Sequence, residues 1–93
     1  MSGTEMIRLV MERAHCARDK DWYGLLGIGI KADEWEVKRG YFRLVRAVDP
    51  TAISDPKVQY SAEEVMSAAP LAFAQLWYQG ERQRYDQRRV MGG

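Results

Sequence analysis

The stretch YFRLVRAVDPT, residues 41–51, decides how this chain folds. Tyr41, Leu44 and Val48 continue an apolar series begun at Val37, and the spacings of four, three and four trace one stripe of an α-helix. Lys38, Arg39, Arg43 and Arg46 fall off that stripe and are expected to face water. Asp33 and Glu36 give the helix a capping-box-like start. Pro50 ends it, because its ring disfavours the α conformation at Asp49. A basic, amphipathic helix therefore runs into an Asp-Pro turn.

Downstream, DPTAISDPKVQY (49–60) carries two Asp-Pro steps and reads as a loop. Ser61 is expected to open the next helix, with SAEE as a capping box closed by Glu64. Met66, Ala69, Phe73 and Leu76 then form a second apolar stripe, and Pro70 is expected to kink the helix that carries it. Gly80 breaks the pattern, and ERQRYDQRR (81–89) forms a short basic helix. Residues 90–93 read as a disordered tail. Upstream, Asp21 caps a short helix, WYGLLG, which Gly27 and Gly29 stop.

The first helix is expected to be capped by Thr4 and to reach about Arg18. Met6, Ile7, Val10, Met11, Ala14 and Ala17 share one of its faces, and Arg8, Glu12, His15 and Asp19 the opposite one. No strand alternation appears, so the expected class is all-α. Two long helices with one apolar stripe each pack as an antiparallel hairpin, and the short helix with Leu25 and Leu26 covers its open side. The organisation is an N-terminal amphipathic extension at 1–20, a helical domain at 21–89 and the tail.

Ninety-three residues make one domain, large enough to bury roughly two thirds of its unfolded surface. The formal net charge is +1, so no strong global field draws in nucleic acid or a membrane surface. Cys16 is the only cysteine, which rules out an internal disulfide and fits a reducing, intracellular compartment. The longest apolar run, AAPLAFA (68–74), is far short of the ~20 residues that span a bilayer. The N-terminus has no clean apolar core of a secretory signal, and Glu5, Glu12 and Asp19 argue against a mitochondrial presequence.

Catalytic and metal chemistry find little support. His15 and Cys16 are adjacent, so on a helix they point about 100° apart and cannot work as base and nucleophile. One histidine and one cysteine cannot assemble the four ligands zinc usually takes. No cofactor motif is present, and the expectation is a protein that is not an enzyme. WYQGERQRYDQRR (77–89) mixes aromatics with arginines as single-strand binders do, but the simpler reading is core tyrosines and a solvated helix end. A DNA-reading helix-turn-helix would need a turn of about three or four residues, and 49–60 is much longer.

Four motifs, in order, resemble the J domain, the DnaJ-family module that partners DnaK-type chaperones. DWYGLLGI (21–28) resembles the family's opening, and ADEWEVKRGYFRL (32–44) its second helix. Ala72, Phe73 and Leu76 match its third helix, and ERQRYDQ (81–87) its closing motif. The resemblance runs from about Asp21 to Asp86 and implies a J-like helix hairpin. The family places His-Pro-Asp directly after the second helix; here those positions hold Asp49, Pro50 and Thr51. Thr51 lacks the charge that an arginine would grip through two hydrogen bonds. Losing such a contact costs on the order of 2–3 kcal/mol, tens-fold in affinity.

The resemblance therefore implies a degenerate J-like binding module, a regulator or adaptor that does not stimulate the chaperone's ATPase. Its expected partners are a DnaK-type chaperone or a true J protein, in the cytoplasm or on the mitochondrial matrix side. Its docking residues are expected among Lys38, Arg39, Arg43, Arg46, Asp49, Pro50 and Thr51. The alternative is a structural subunit of a larger assembly without chaperone contact, and a more distant one is nucleic-acid binding. The N-terminal helix is extra to the usual J domain. It either folds back or offers Met6, Val10 and Met11 to a partner. Trp35, off the buried stripe, is either a contact anchor or rests under that helix.

Overall fold

Helix boundaries follow the side chains able to satisfy free backbone N–H groups. In the computed structural model, which describes residues 2–91, those boundaries define five α-helices and one 3-10 turn. The helices are α1 (Gly3–Arg18), α2 (Trp22–Leu26), α3 (Glu34–Ala47), α4 (Pro56–Trp77) and α5 (Gln79–Met91), with the turn at Pro50–Ala52. The described residues contain no strand. The all-α, J-domain-like hairpin expected from the sequence is the fold adopted.

Several boundaries differ from the sequence expectation. Ser2, not Thr4, caps α1, its hydroxyl accepting from the Glu5 N–H at 3.2 Å. Ser2-x-x-Glu5 has the capping-box spacing, whereas Thr4 lies inside the first turn. Helix α4 starts at Pro56 rather than Ser61. Asp55 caps it by accepting from the Lys57 N–H at 2.9 Å, and Pro56 sits where a missing N–H costs nothing. Ser61 is consequently a buried residue within α4, and the connection between the long helices shortens to residues 48–55.

Helix α4 runs through Pro70 as one helix, with the proline on its exposed side. It ends where Tyr78 turns extended, so Gly80 lies inside α5 instead of breaking the chain. Helix α5 includes Val90 and Met91 of the expected tail; residues 92–93 lie outside the described residues.

The core is a seam between α3 and α4, closed by α2 and α1. Val37, Leu44 and Val48 are buried as expected, with Tyr41 half-buried beside them. The buried stripe of α4 is Val58, Ala62, Val65, Ala69, Ala72 and Leu76; Met66 and Phe73 flank it half-buried. Leu25 and Leu26 of α2 fill the open side. Full burial of a side chain such as Leu25 or Leu76 contributes about 1.5–3 kcal/mol.

Helix α1 folds back onto α4 and α2. Val10 and Ala14 are fully buried, Met6, Leu9, Cys16 and Ala17 are half-buried, and Ile7 and Met11 are exposed. Val10 is thus part of the core and is not available to a partner, which corrects its place among the candidate contacts. The buried face of α1 is rotated toward Leu9 and Arg13, and Arg13 reaches the end of α2. Its guanidinium donates to the carbonyl of Gly24 and, at 3.5 Å, to that of Leu25. A cation on those carbonyls complements the negative end of the helix.

The opening and closing sequence motifs turn out to be one lock. The Tyr85 hydroxyl donates to the Lys20 carbonyl at 2.7 Å and accepts from the Trp22 N–H at 3.0 Å. The Tyr23 hydroxyl donates to Asp86 at 2.7 Å and accepts from Arg82 at 2.9 Å. Burial pushes both tyrosines above the ordinary phenol range, and for Tyr23 the Asp86 hydrogen bond adds to the rise. Arg89 covers both rings, at 5.2 Å from Tyr23 and 5.7 Å from Tyr85.

Candidate docking surface

Because α1 packs on α4 and α2, it leaves the outer face of α3 open to solvent. Lys38, Arg39, Arg43 and Arg46 are all exposed there. Arg46 donates to the Phe42 carbonyl at 3.2 Å, one turn back. The ion pairs among the described residues are Arg18–Glu64 and Arg84–Glu81, and His15 lies beside Asp19, so none engages these four cations. Four unpaired cations on one helix face form a local positive field in a chain whose net charge is only +1.

At the end of α3 the chain turns through Asp49, Pro50 and Thr51. The Asp49 carboxylate accepts from the Thr51 N–H at 3.1 Å and from the Thr51 hydroxyl at 2.7 Å. It thereby caps the 3-10 turn, an Asx arrangement that an acid before Pro50 favours. The Pro50 carbonyl accepts from the Gln59 side chain at 3.2 Å, which ties the tip to α4. Ile53 is buried beneath it. The exposed acid at this tip is engaged through Oδ1 with the backbone and hydroxyl of Thr51, two residues on.

Of the other candidate contacts, Met6 is half-buried against the core, while Met11 is 46% exposed at the edge of α1. Trp35 is 58% exposed in the first turn of α3, with the Lys38 ammonium 5.6 Å from its ring centre. It does not lie under α1. Sequence reasoning passed over Phe42, which is 44% exposed between Arg39 and Arg46. The signal was available, since Phe42 follows Tyr41 and so cannot share the stripe of Val37 and Leu44.

The features set aside as catalytic stay apart. His15 faces Asp19 at 3.2 Å, and Cys16 packs toward Gly24. Burial, followed by the nearby Asp21 carboxylate, pushes the Cys16 thiol above its ordinary value. No cluster of three potential metal ligands occurs among the described residues, and none of the described helices is long and apolar enough to cross a membrane.

The chain is 35% identical over 74 residues to a chaperone protein DnaJ of Ruthia magnifica subsp. Calyptogena magnifica, covering 80% of this chain and 20% of that protein. It is 37% identical over 71 residues to one from Halothermothrix orenii, covering 76% of this chain and 18% of that protein. A third, from Methanothermobacter thermautotrophicus, is 34% identical over 67 residues, covering 72% of this chain and 17% of that protein. The chain thus spans about a fifth of the length of these curated relatives. No family model matches it, and no solved structure does.

Proposed function

Because the chain is J-domain-like in sequence and in fold, we propose that it is a non-catalytic binding module of a DnaK-type chaperone system, a regulator or adaptor that does not stimulate the chaperone's ATPase. Its docking element is the cationic face of α3, with Lys38, Arg39, Arg43 and Arg46 steering a negatively charged partner, either the chaperone or a true J protein. The proposed setting is a compartment that holds such a chaperone, the cytoplasm or the mitochondrial matrix side. The observation that carries the reading is the pairing of an open basic face with a self-satisfied tip. Both Thr51 hydrogen bonds fall on Oδ1 of Asp49, so the carboxylate does not offer its two oxygens together for the two-bond grip that an arginine makes.

A single-turnover ATPase assay with a DnaK-type chaperone tests this directly. The unmodified protein is expected to leave the rate unchanged while still binding the chaperone or its J protein in a pulldown. An Asp49→His, Thr51→Asp double variant is expected to gain stimulation. Strong stimulation by the unmodified protein would overturn the reading. So would recovery of a stable complex containing neither a chaperone nor a J protein, which would instead mark a structural subunit.

A further inference from the structure

Two exposed aromatic residues stand in the middle of the α3 cationic face, and charge alone does not account for them. Trp35 is 58% exposed and Phe42 44%. They are seven residues apart, two helical turns and about 10.5 Å along the axis. At about 100° per residue, the exposed arc runs from Lys38 through Phe42, Trp35, Arg46 and Arg39 to Arg43, spanning about 140°. The rings therefore lie near its centre, with cations on both sides. Glu34 and Glu36 fall just beyond its two edges.

Scattered exposed apolar side chains are ordinary on a protein surface. A tryptophan and a phenylalanine aligned on one face and bordered by arginines have instead the composition of a binding hot spot. Both rings are also held. Phe42 meets Tyr41 edge-on at 5.3 Å and 71°, and Tyr41 in turn packs on Phe73 at 5.0 Å. Lys38 sits over Trp35. Rings already ordered in the free protein lose less entropy when a partner arrives.

We propose that this face is a mixed aromatic and cationic docking surface for an acidic amphipathic helix of another protein. The proposal rests on the reading of α3 as the docking element and names the chemistry of what docks there. A helix fits because side chains seven residues apart on a partner helix repeat at the Trp35–Phe42 interval, and two helices pack by ridges into grooves. The partner must be acidic because its rim meets four cations without counter-ions. A second copy of this chain is disfavoured by the same charges, since pairing the face with itself would oppose like charge to like. Single-stranded nucleic acid would stack bases on such rings, but a chain of net charge +1, with Glu34 and Glu36 at the edges of the patch, offers a phosphate backbone little attraction.

The probe is a synthetic helical peptide with leucines at i, i+3, i+7 and glutamates on either side. Its controls are the same peptide with each leucine replaced by serine, and a single-stranded oligonucleotide. Titration into 15N-labelled full chain is expected to shift the Trp35 indole signal. Trp35→Ala and Phe42→Ala are each expected to weaken peptide binding about tenfold. Both side chains are exposed, so both variants should keep the parent's circular dichroism. Equal binding by the serine peptide or the oligonucleotide, unchanged affinity in both variants, or no peptide binding would each overturn the proposal. Chaperone recovery that survives loss of both rings sinks this inference alone. Ring-dependent peptide binding with no chaperone or J protein recovered sinks the functional reading instead.

Discussion

Replacing Tyr85 with phenylalanine removes the oxygen that carries two hydrogen bonds from α5 to the start of α2 and the connection before it. The ring would stay, because its neighbours Trp22 and Tyr23, at 6.4 and 5.8 Å between centroids, pack on carbon rather than on the hydroxyl. Two hydrogen bonds would go. The Trp22 N–H belongs to the first turn of α2 and has no partner within that helix, so its bond to Tyr85 is the one that satisfies it. Orphaning a buried donor costs about 1–3 kcal/mol. The Lys20 carbonyl belongs to an exposed residue and can turn to water, so that bond contributes about 0.5–1.5 kcal/mol. The two ranges sum to about 1.5–4.5 kcal/mol, and about 2–3 kcal/mol, below the upper end because the two bonds share one oxygen, is the expected loss for Tyr85→Phe. For a domain of this size that lowers Tm by about 10–20 °C. Urea unfolding followed by tryptophan fluorescence should show a lower midpoint with an unchanged slope, since the area exposed on unfolding stays the same. Tyr78→Phe, at a 61% exposed tyrosine, is the control and should change little. A loss under about 0.5 kcal/mol for Tyr85→Phe would refute the idea that this hydroxyl ties α5 to α2 and to the α1–α2 connection.

Gly40 sits where α3 crosses the end of α2, and a Cβ there would lie 2.8 Å from the Leu26 carbonyl oxygen. Gly40→Ala should therefore cost about 1 kcal/mol net of its helix-propensity gain, whereas Gly80→Ala, with open space around it in α5, should gain about 0.5–1 kcal/mol; thermal melts of the two variants separate the cases. The Arg18 hydrogen bond holds Glu64 below the ordinary glutamate range. A lowered folded-state value means that this contribution is present above the unfolded value of about 4.3 and is lost as pH falls through the folded one. Glu64→Gln should accordingly flatten the acid limb of the urea midpoint against pH, although an exposed pair makes the effect small. Cys16, with its thiol pushed up by burial and Asp21, should be alkylated at neutral pH several-fold more slowly than an unstructured cysteine peptide, and urea should abolish the difference.

The elements legible in the sequence are those where periodicity and a cap agree. Helix α3 is the clearest case: Asp33 caps it by accepting from the Glu36 N–H at 2.8 Å, and Val37, Leu44 and Val48 are buried as their spacing requires. Asp21 and Gly27 likewise bound α2, and Gly27 takes the left-handed φ of 68° that a glycine supplies without strain. The start of α4 is not legible in the sequence because two plausible caps compete, Asp55 before a proline and Ser61 ahead of Glu63 and Glu64. The choice depends on whether Val58 can be buried, and only packing decides that.

The cationic residues of the candidate surface could be named from the sequence, because charged residues off an apolar stripe face water. Whether they would be left without partners could not, since an ion pair such as Arg18–Glu64 joins residues 46 apart in the chain. The amino-acid order by itself determined α2, α3 and the Asp-Pro turn at their downstream end, all of which rest on caps and turn residues within a few positions of one another. Only the tertiary structure decided that α1 lies on α4 and α2 instead of over α3, which buries Val10 and leaves Trp35 and Phe42 in water. An amphipathic helix specifies that one of its faces must be covered, but not by what. That choice is made by shape and charge in other elements of the chain, here including the carbonyls at the end of α2 to which Arg13 donates.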